Sequence, residues 1–239
     1  MRPMGFSVLA VLFAAPALAA TTVDNAALKN ENDGRNWPAY GRTFSETHYS
    51  PLSEINRETV PRLNLAWTLD LDVTNNLSTP LAVDGNVFIS SGENHGSALL
   101  SLKPTGKTFD AEEAWTSQGA SSVLRNEWQT SILLDGHLYG FDNVGSAGPV
   151  THLTCINAAT GKRAWQQARF GKGNLIAADG KLFCSTMKGE LVVVRATTEK
   201  YDELGRAAVI GTTRQAPALA NGLLYLRDDK EIVCLDVRK

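Results

Sequence analysis

The sequence predicts an all-β protein, a β-propeller with about four blades that are four-stranded antiparallel sheets. Asp-Gly or Asn-Gly pairs recur between short apolar runs, at Asp84, Asp135, Asp179 and Asn221. Such pairs suit the positive φ angles of a type I′ turn, so each one predicts a β-hairpin. The turns are separated by 51, 44 and 42 residues. A repeat of this length without helical periodicity is typical of propeller blades or a similar β array.

Each repeat is predicted to contain four strands, and the inner strands are expected to begin at Thr79, Thr130, Asn174 and Ala216. A third strand follows each hairpin, and in the first two repeats a Thr-Gly-Lys turn leads to the fourth strand. Trp115 and Trp165 lie in such fourth strands. A large flat ring at this position can pin a blade to its neighbour by burial.

The last repeat, 216–237, shows only three strands, whereas Leu63–Leu71 resembles a fourth strand without a blade of its own. We therefore predict that this N-terminal strand closes the last blade, with the strand around Trp67 paired to the strand around Cys234. Such pairing would cover an otherwise open sheet edge. Closure within one chain and closure across two chains both remain possible outcomes, the second giving an eight-bladed ring.

Residues 1–19 are interpreted as a secretory signal peptide. Arg2 precedes an apolar run from Phe6 to Ala15, and the small residues ending at Ala19 fit a cleavage site. The run is too short to span a bilayer, and a retained anchor is the alternative. We expect the mature protein in the periplasm or another exported compartment, with no membrane span after cleavage.

Residues 20–62 are expected to form an irregular N-terminal segment with a short helical turn at Asn25–Lys29, followed by the propeller domain, 63–239. The formal charge is −2, and the Lys and Arg residues are scattered along the chain. This distribution does not predict a nucleic-acid partner or a membrane-surface footprint.

The three cysteines, Cys155, Cys184 and Cys234, each lie inside an apolar β-like run. We expect them to be small buried core residues, with a disulfide as the alternative. An odd number of cysteines in an exported protein indicates at least one free thiol.

No metal site is predicted. Asp70, Asp72 and Asn75 could offer oxygen ligands to Ca²⁺, but alternation along a strand favours an exposed polar face. The histidines show no ligand spacing; they are His48, His95, His137 and His152.

The best binding candidate is the stretch Arg125-Asn126-Glu127-Trp128, just before an inner strand. The starts of inner strands line the central channel of a propeller, so Arg125, Glu127 and Trp128 are weak candidates for contact with a cofactor. The alternative is a salt-bridged loop, since surface charges usually contribute little.

Several motifs resemble the N-terminus of quinoprotein alcohol dehydrogenases, which use pyrroloquinoline quinone (PQQ) in an eight-bladed propeller. They are WPAYGR from Trp37, YSPLSEIN from Tyr49, RLNLAWTLDLD from Arg62 and TPLAVDG from Thr79. NAATGKRAW, from Asn157, resembles the PQQ repeat. From about Gly92 onward, the chain more closely resembles non-catalytic PQQ-like propeller repeat proteins of bacterial exported proteomes.

The resemblance implies PQQ held between a Trp and a vicinal Cys-Cys disulfide, together with Ca²⁺ ligands and an Asp base. The sequence has no Cys-Cys pair, and Leu77 stands where the family has a Glu that touches PQQ. We therefore expect no catalytic residue and no cofactor in this chain.

Three hypotheses about function follow. The first is a non-catalytic, exported PQQ-like propeller repeat protein, a binding or scaffold module that meets an unknown protein partner or self-associates into a larger propeller. The alternative is a PQQ- and calcium-dependent alcohol dehydrogenase, as a fragment or subunit. A third is a truncated or recombined gene product.

Overall fold

The computed structural model describes residues 23–68, 78–92, 95–106, 108–144 and 150–238. The predicted signal peptide lies outside these ranges, and so do Asp70, Asp72, Asn75 and Leu77. Within the described ranges, no helix has both the length and the apolar character needed to cross a membrane.

Four antiparallel sheets follow one another along the chain, which confirms the predicted all-β propeller fold. The first contains β1 (Leu81–Val83), β2 (Asn86–Ser91), β3 (Gly96–Thr105) and β4 (Thr108–Gln118). The second contains β5 (Ile132–Leu134), β6 (His137–Asn143), β7 (Thr151–Asn157) and β8 (Arg163–Gln167). The third contains β9 (Gly173–Ala178), β10 (Lys181–Thr186), β11 (Glu190–Arg195) and β12 (Glu203–Ala208). The fourth contains β13 (Ala218–Ala220), β14 (Leu223–Arg227) and β15 (Ile232–Asp236).

The four predicted turns join the first two strands of each sheet. Their Asp or Asn residues have φ between 48° and 52°, and the following glycines have φ between 67° and 74°. Each turn glycine carbonyl accepts a hydrogen bond from the third strand or the residue after it. The donors are the backbone N–H groups of Leu102, Ala158, Ala196 and Val237, at 2.7–2.9 Å. The same three-strand unit is therefore built four times around an equivalent turn.

Two tryptophans of the fourth strands connect the first sheet to the second and the second to the third, as predicted. The indole Nε1 of Trp115 in β4 donates to the carbonyl oxygen of Ala158 at 2.9 Å. That of Trp165 in β8 donates to the carbonyl oxygen of Thr197 at 2.7 Å. Each ring therefore combines burial against a neighbouring blade with a directed bond to its backbone.

The largest apolar cluster contains residues of the second and third sheets, including the fully buried Leu153, Leu182 and Val192. The N-terminal segment adds Leu28, which is 1% exposed. Leu28 belongs to the helix α1 (Asn25–Lys29), which coincides with the predicted helical turn. The carboxylate of Asp24 caps this helix by accepting a hydrogen bond from the N–H of Ala27 at 2.8 Å.

The irregular segment after α1 is held against the first sheet. Trp37 and Ala82 exchange two backbone hydrogen bonds, at 2.6 and 3.0 Å. The buried guanidinium of Arg42 donates to the carbonyl oxygens of Glu31, Asp33 and Tyr49. These contacts replace regular secondary structure as the source of order in this aromatic stretch.

Among the described residues, the predicted closure of the last blade within the chain is not present. Residues 63–68 form no strand, and among the described residues β15 pairs only with β14. Leu63 and Leu65 are 62% and 78% exposed. The exposed side chains of this segment bury no apolar face against a sheet, so no contact of the described residues holds it as a strand. Pairing across two chains stays a prediction.

The cysteines divide into two groups. Cys155 and Cys184 are free and buried, as expected. Cys234 is free and exposed, which corrects the expectation that all three lie in the core. It lies on β15, where the residues alternate between exposed and half-buried because no further described strand covers them.

Candidate functional site

A small cleft with a volume of about 10 Å³ lies where the first strands of successive sheets begin. Residues 127–129 precede β5, and Lys172 precedes β9, which packs against β5 and β6. The sides of the cleft come from the strands that follow, with Phe141 and Asn143 on β6, Thr151 on β7 and Gly173 on β9. Glu127 and Trp128, two of the predicted binding candidates, are among the lining residues, and their role in binding stays a prediction.

Trp128 is the centre of the site. Its half-buried ring has the ammonium Nζ of Lys172 at 4.8 Å from the ring centroid. The guanidinium carbon of Arg214 lies 5.3 Å from the same centroid. Cations are attracted to the negative face of an indole, so the ring holds two cations, of which Lys172 lines the cleft and Arg214 is exposed outside it.

Glu127 neutralises one of these charges. Its Oε2 accepts a hydrogen bond from Lys172 Nζ at 2.6 Å and another from Asn143 Nδ2 at 2.8 Å. The side chains of Lys172 and Glu127 are 22% and 24% exposed, so solvent screens the pair only in part. Arg214 forms no ion pair with a carboxylate of the described residues, and the cluster therefore carries one excess positive charge.

Two hydrogen-bond donors at the cleft lack a partner among the described residues. They are the buried Nε1 of Trp128 and the buried Nε2 of Gln129. The other amide atom of Gln129, Oε1, accepts a hydrogen bond from the N–H of Phe141 at 3.0 Å. An unpaired buried donor costs about 1–3 kcal/mol, so a ligand or an ordered water is expected to accept from these two groups.

Arg125, the third predicted site residue, does not line the cleft. It forms a buried bidentate ion pair with Asp142, with Nε to Oδ1 at 2.6 Å and Nη2 to Oδ2 at 3.0 Å. Gln166 Nε2 donates to the same carboxylate at 3.2 Å. Burial lowers the pKa of the nearby His152, whose Nδ1 accepts a hydrogen bond from the N–H of Arg169 at 2.9 Å. The ion pair is an internal structural element, since its oxygens are fully engaged.

The sequence reasoning missed Lys172 and Arg214, although the repeat contains a signal that would have found them. Trp128, Lys172 and Arg214 each stand seven residues before the Asp or Asn of their own hairpin turn. They therefore occupy one equivalent position in three successive repeats. Leu77 has the same position in the first repeat and lies outside the described residues.

The cleft does not fit a whole PQQ molecule. Pockets that bury a ligand of that size usually measure about 300–1,000 Å³, whereas this cleft has a volume of about 10 Å³, room for about one water molecule. For metals, the described ranges contain no group of three or more His, Cys, Asp or Glu side chains placed to hold an ion.

Comparisons with known proteins agree on the family. Residues 37–109 match the PQQ family model, described as the β-propeller domain of glucose, ethanol and alcohol dehydrogenases. The dehydrogenase subunit of the quinone-type alcohol dehydrogenase of Gluconobacter oxydans (strain 621H) is 38% identical over 216 residues, covering 88% of this chain and 24% of that protein. The quinohemoprotein alcohol dehydrogenase ADH IIB of Pseudomonas putida is 32% identical over 171 residues, covering 70% of this chain and 24% of that protein.

Solved structures show the same fold. A europium-containing methanol dehydrogenase superposes with a TM-score of 0.57 at 18% identity, covering 79% of this chain and 34% of that chain. The quinohemoprotein alcohol dehydrogenase from Comamonas testosteroni gives a TM-score of 0.56 at 23% identity, covering 79% of this chain and 29% of that chain.

The sheets and their repeated turns thus define a β-propeller protein. More particularly, residues 37–109 match a PQQ-type propeller domain, and most of the chain is similar to a quinone-type alcohol dehydrogenase subunit, which confirms the resemblance found in its motifs. The similarity to a dehydrogenase subunit covers most of the chain and extends well beyond Gly92. The chain spans about a quarter of the length of these two curated relatives.

Proposed function

We propose that this chain is a segment or subunit of a quinoprotein oxidoreductase that acts on alcohols with PQQ and calcium. The observation that carries the proposal is the 38% identity to a quinone-type alcohol dehydrogenase subunit over 88% of the chain. The fold supports it, because the same sheets recur in solved quinohemoprotein alcohol dehydrogenases. In this proposal the chain contributes blades to a larger propeller, and further copies of the chain supply the blades that complete the quinone site.

A second candidate function is a non-catalytic binding or scaffold module. Three observations favour it: the sequence lacks a vicinal cysteine pair, Leu77 replaces the Glu of the related dehydrogenases, and the cleft at Trp128 is too small for a whole PQQ. A module of this kind would use the starts of its inner strands to bind a ligand or a protein partner without catalysing a reaction.

One experiment separates the two candidates. The purified full chain is incubated with PQQ and Ca²⁺, passed through gel filtration, and examined for quinone absorbance and for dye-linked oxidation of ethanol and methanol. Protein that receives PQQ with excess EDTA, and protein without PQQ, are the controls. The oxidoreductase proposal expects Ca²⁺-dependent retention of PQQ with alcohol-dependent dye reduction. Absence of retained quinone at saturating PQQ contradicts it and favours the binding module.

Export and self-association belong to the same proposal. Residues 1–19 have the pattern of a secretory signal, so the mature protein is proposed to reside in the periplasm, with Ala20 as its first residue. A ring larger than four sheets would need further blades, which a second copy can supply. Cell fractionation with N-terminal sequencing tests the first point. Light scattering of the mature protein tests the second, and a strictly monomeric mass contradicts self-association.

A further inference from the structure

The fourth sheet leaves exposed the face through which each of the other sheets contacts its successor. An aromatic residue stands four positions after the Asp or Asn of every hairpin turn, namely Phe88, Tyr139, Phe183 and Tyr225. The first three are 5%, 1% and 7% exposed, whereas Tyr225 is 37% exposed. No sheet of the described residues follows the fourth, so nothing covers the ring of Tyr225.

The three buried rings belong to contacts between successive sheets. Phe88 lies in an apolar cluster with Leu138 of β6, and Phe183 lies in one with Leu224 of β14. Tyr139 lies in the cluster that the second and third sheets share. One kind of apolar contact, sheet face against sheet face, is therefore built three times.

The exposed face of the fourth sheet has the composition of these contacts. Alternation along each strand, with the pairing of β14 to β13 and β15, places six apolar side chains on this one face. The Tyr225 face consists of Ala218, Ala220, Leu223, Tyr225, Ile232 and Cys234. Ile232 is 72% exposed. An exposed apolar patch of this kind marks a contact with another protein surface.

We propose that the Tyr225 face binds the Tyr225 face of a second copy of this chain, in a two-fold symmetric dimer. The opposite face of the first sheet is not available as the receiving surface. Its residues Val87 and Leu100, which correspond to Leu224 and Leu235 of the fourth sheet, are already 8% and 2% exposed. The inference rests on the proposed function only in that further copies add blades. It requires neither PQQ nor turnover, so each proposal can fail without the other.

Two exposed charges at opposite ends of the Tyr225 face determine the orientation. Arg227 lies at one end and forms no ion pair with a carboxylate of the described residues. Asp236 lies at the other end, where its pair with Arg238 is open to solvent. A two-fold axis parallel to the strands would bring two Arg227 side chains together. An axis across the strands brings Arg227 beside Asp236 of the second copy, which is the attractive arrangement.

The axis across the strands follows the middle row of the face, in which Ala218, Tyr225 and Cys234 lie side by side. It places Cys234 opposite Cys234 of the second copy, and β13 opposite β13. First strand then lies near first strand, as β5 lies near β9 in successive sheets.

The first test is the mass of the mature protein, measured by sedimentation over a range of concentrations. We expect a reversible dimer. Ile232→Arg brings an unpaired charge into the contact and should raise the dissociation constant about 100-fold or more. Leu204→Arg is the matched control, because Leu204 is 42% exposed on β12, outside the face. A monomeric unmodified protein, equal effects of the two changes, or an open series of larger oligomers overturns the proposal.

Cys234 tests the position of the axis, since Cys155 and Cys184 are buried. Iodoacetamide should modify Cys234 rapidly in dilute protein and slowly above the dissociation constant. A short bis-maleimide should join two copies through Cys234 faster than through Glu199→Cys, an exposed position outside the face, made together with Cys234→Ser. Equal rates of joining contradict the axis.

A charge exchange tests the orientation. Arg227→Glu should weaken the dimer about 10-fold, because it places two carboxylates side by side. Arg227→Glu combined with Asp236→Arg should restore the affinity, since the exchange recreates an attractive pair across the axis. A double variant as weak as the single one contradicts the proposed orientation.

Discussion

At the scale of single residues, the ion pair between Arg125 and Asp142 is the most consequential contact. Their side chains are 3% and 0% exposed, and both carboxylate oxygens accept hydrogen bonds from the guanidinium. Asp142 also accepts from the backbone N–H of Arg125 at 3.1 Å. Breaking such a pair from one side leaves a buried charge without compensation.

We therefore predict that Asp142→Asn lowers the free energy of unfolding by about 3–5 kcal/mol, as measured by urea denaturation. The control is Asp202→Asn, which removes the partner of Arg195 in a pair whose side chains are 34% and 56% exposed. Solvent screens that pair, so the control should lose less than about 1 kcal/mol. Similar losses in both variants would show that burial does not govern the contribution of Arg125.

The thiols lead to a second prediction at this scale. Burial raises the pKa of Cys155 to about 12 and that of Cys184 further still. Both thiols therefore stay protonated at pH 8, and the thiolate is the reactive form. Iodoacetamide at pH 8 should modify the exposed Cys234 in the folded protein and reach the other two only in urea, as followed by mass spectrometry. Modification of all three at one rate would contradict the buried positions.

The raised pKa values of Cys155 and Cys184 also make the stability of the protein depend on pH. The folded state holds these two thiol protons more tightly than the unfolded state, whose thiols titrate near 9.0. Their contribution to stability is complete below pH 9.0 and is lost as the pH rises from there toward the folded pKa. Urea midpoints measured between pH 8 and 10 should therefore fall, and Cys155→Ser combined with Cys184→Ser should flatten that part of the profile.

At the scale of elements, the hairpin turns organise each sheet. Gly136 has φ of 72°, and a Cβ at this position would meet no atom within 4 Å. The cost of Gly136→Ala is therefore a pure backbone effect, about 1–2 kcal/mol for an L-residue held in the left-handed region. Comparison of urea midpoints measures it.

Gly205 is the matched control for this turn. It lies in β12, a Cβ there would also meet no atom within 4 Å, and its φ is not in the left-handed region. Gly205→Ala should leave stability within about 0.5 kcal/mol of the original or raise it slightly. If Gly136→Ala and Gly205→Ala change the free energy of unfolding equally, the turn conformation does not explain the glycine at position 136.

At the scale of the whole molecule, contacts between sheets decide whether the repeats behave as one unit. Trp165 is 7% exposed, its indole bonds to Thr197, and its ring centroid lies 5.9 Å from that of Tyr201. Trp165→Phe keeps an aromatic ring but leaves the Thr197 carbonyl without its donor. We predict a loss of about 1–3 kcal/mol in urea unfolding, monitored by circular dichroism.

Trp67→Phe is the control, because Trp67 lies in the segment 63–68 that forms no strand. This change should cost less than about 0.5 kcal/mol. A loss as large as that of Trp165→Phe would mean that the Trp67 segment pairs with a sheet in solution, as in closure across two chains.

The sequence by itself determined the local architecture. An Asp-Gly or Asn-Gly pair confines the backbone to a turn, so the hairpins at Asp84, Asp135, Asp179 and Asn221 could be predicted without knowledge of distant residues. The same holds for α1, whose start depends on the side chain of Asp24 three residues before Ala27. The anchoring role of Trp115 and Trp165 was predictable as well, since a large ring on an outer strand gains stability from burial against a neighbouring blade.

Only the tertiary structure decided which charges meet. Arg125 and Glu127 are two residues apart in the sequence. Arg125 forms a buried ion pair with Asp142, whereas Glu127 lines the cleft and pairs with Lys172. Likewise, the sequence could not show that β15, among the described residues, pairs only with β14, or that residues 63–68 form no strand. The physical reason is range: a turn depends on the φ and ψ preferences of adjacent residues. An ion pair or a strand pairing depends on the positions of groups that the chain brings together from far apart.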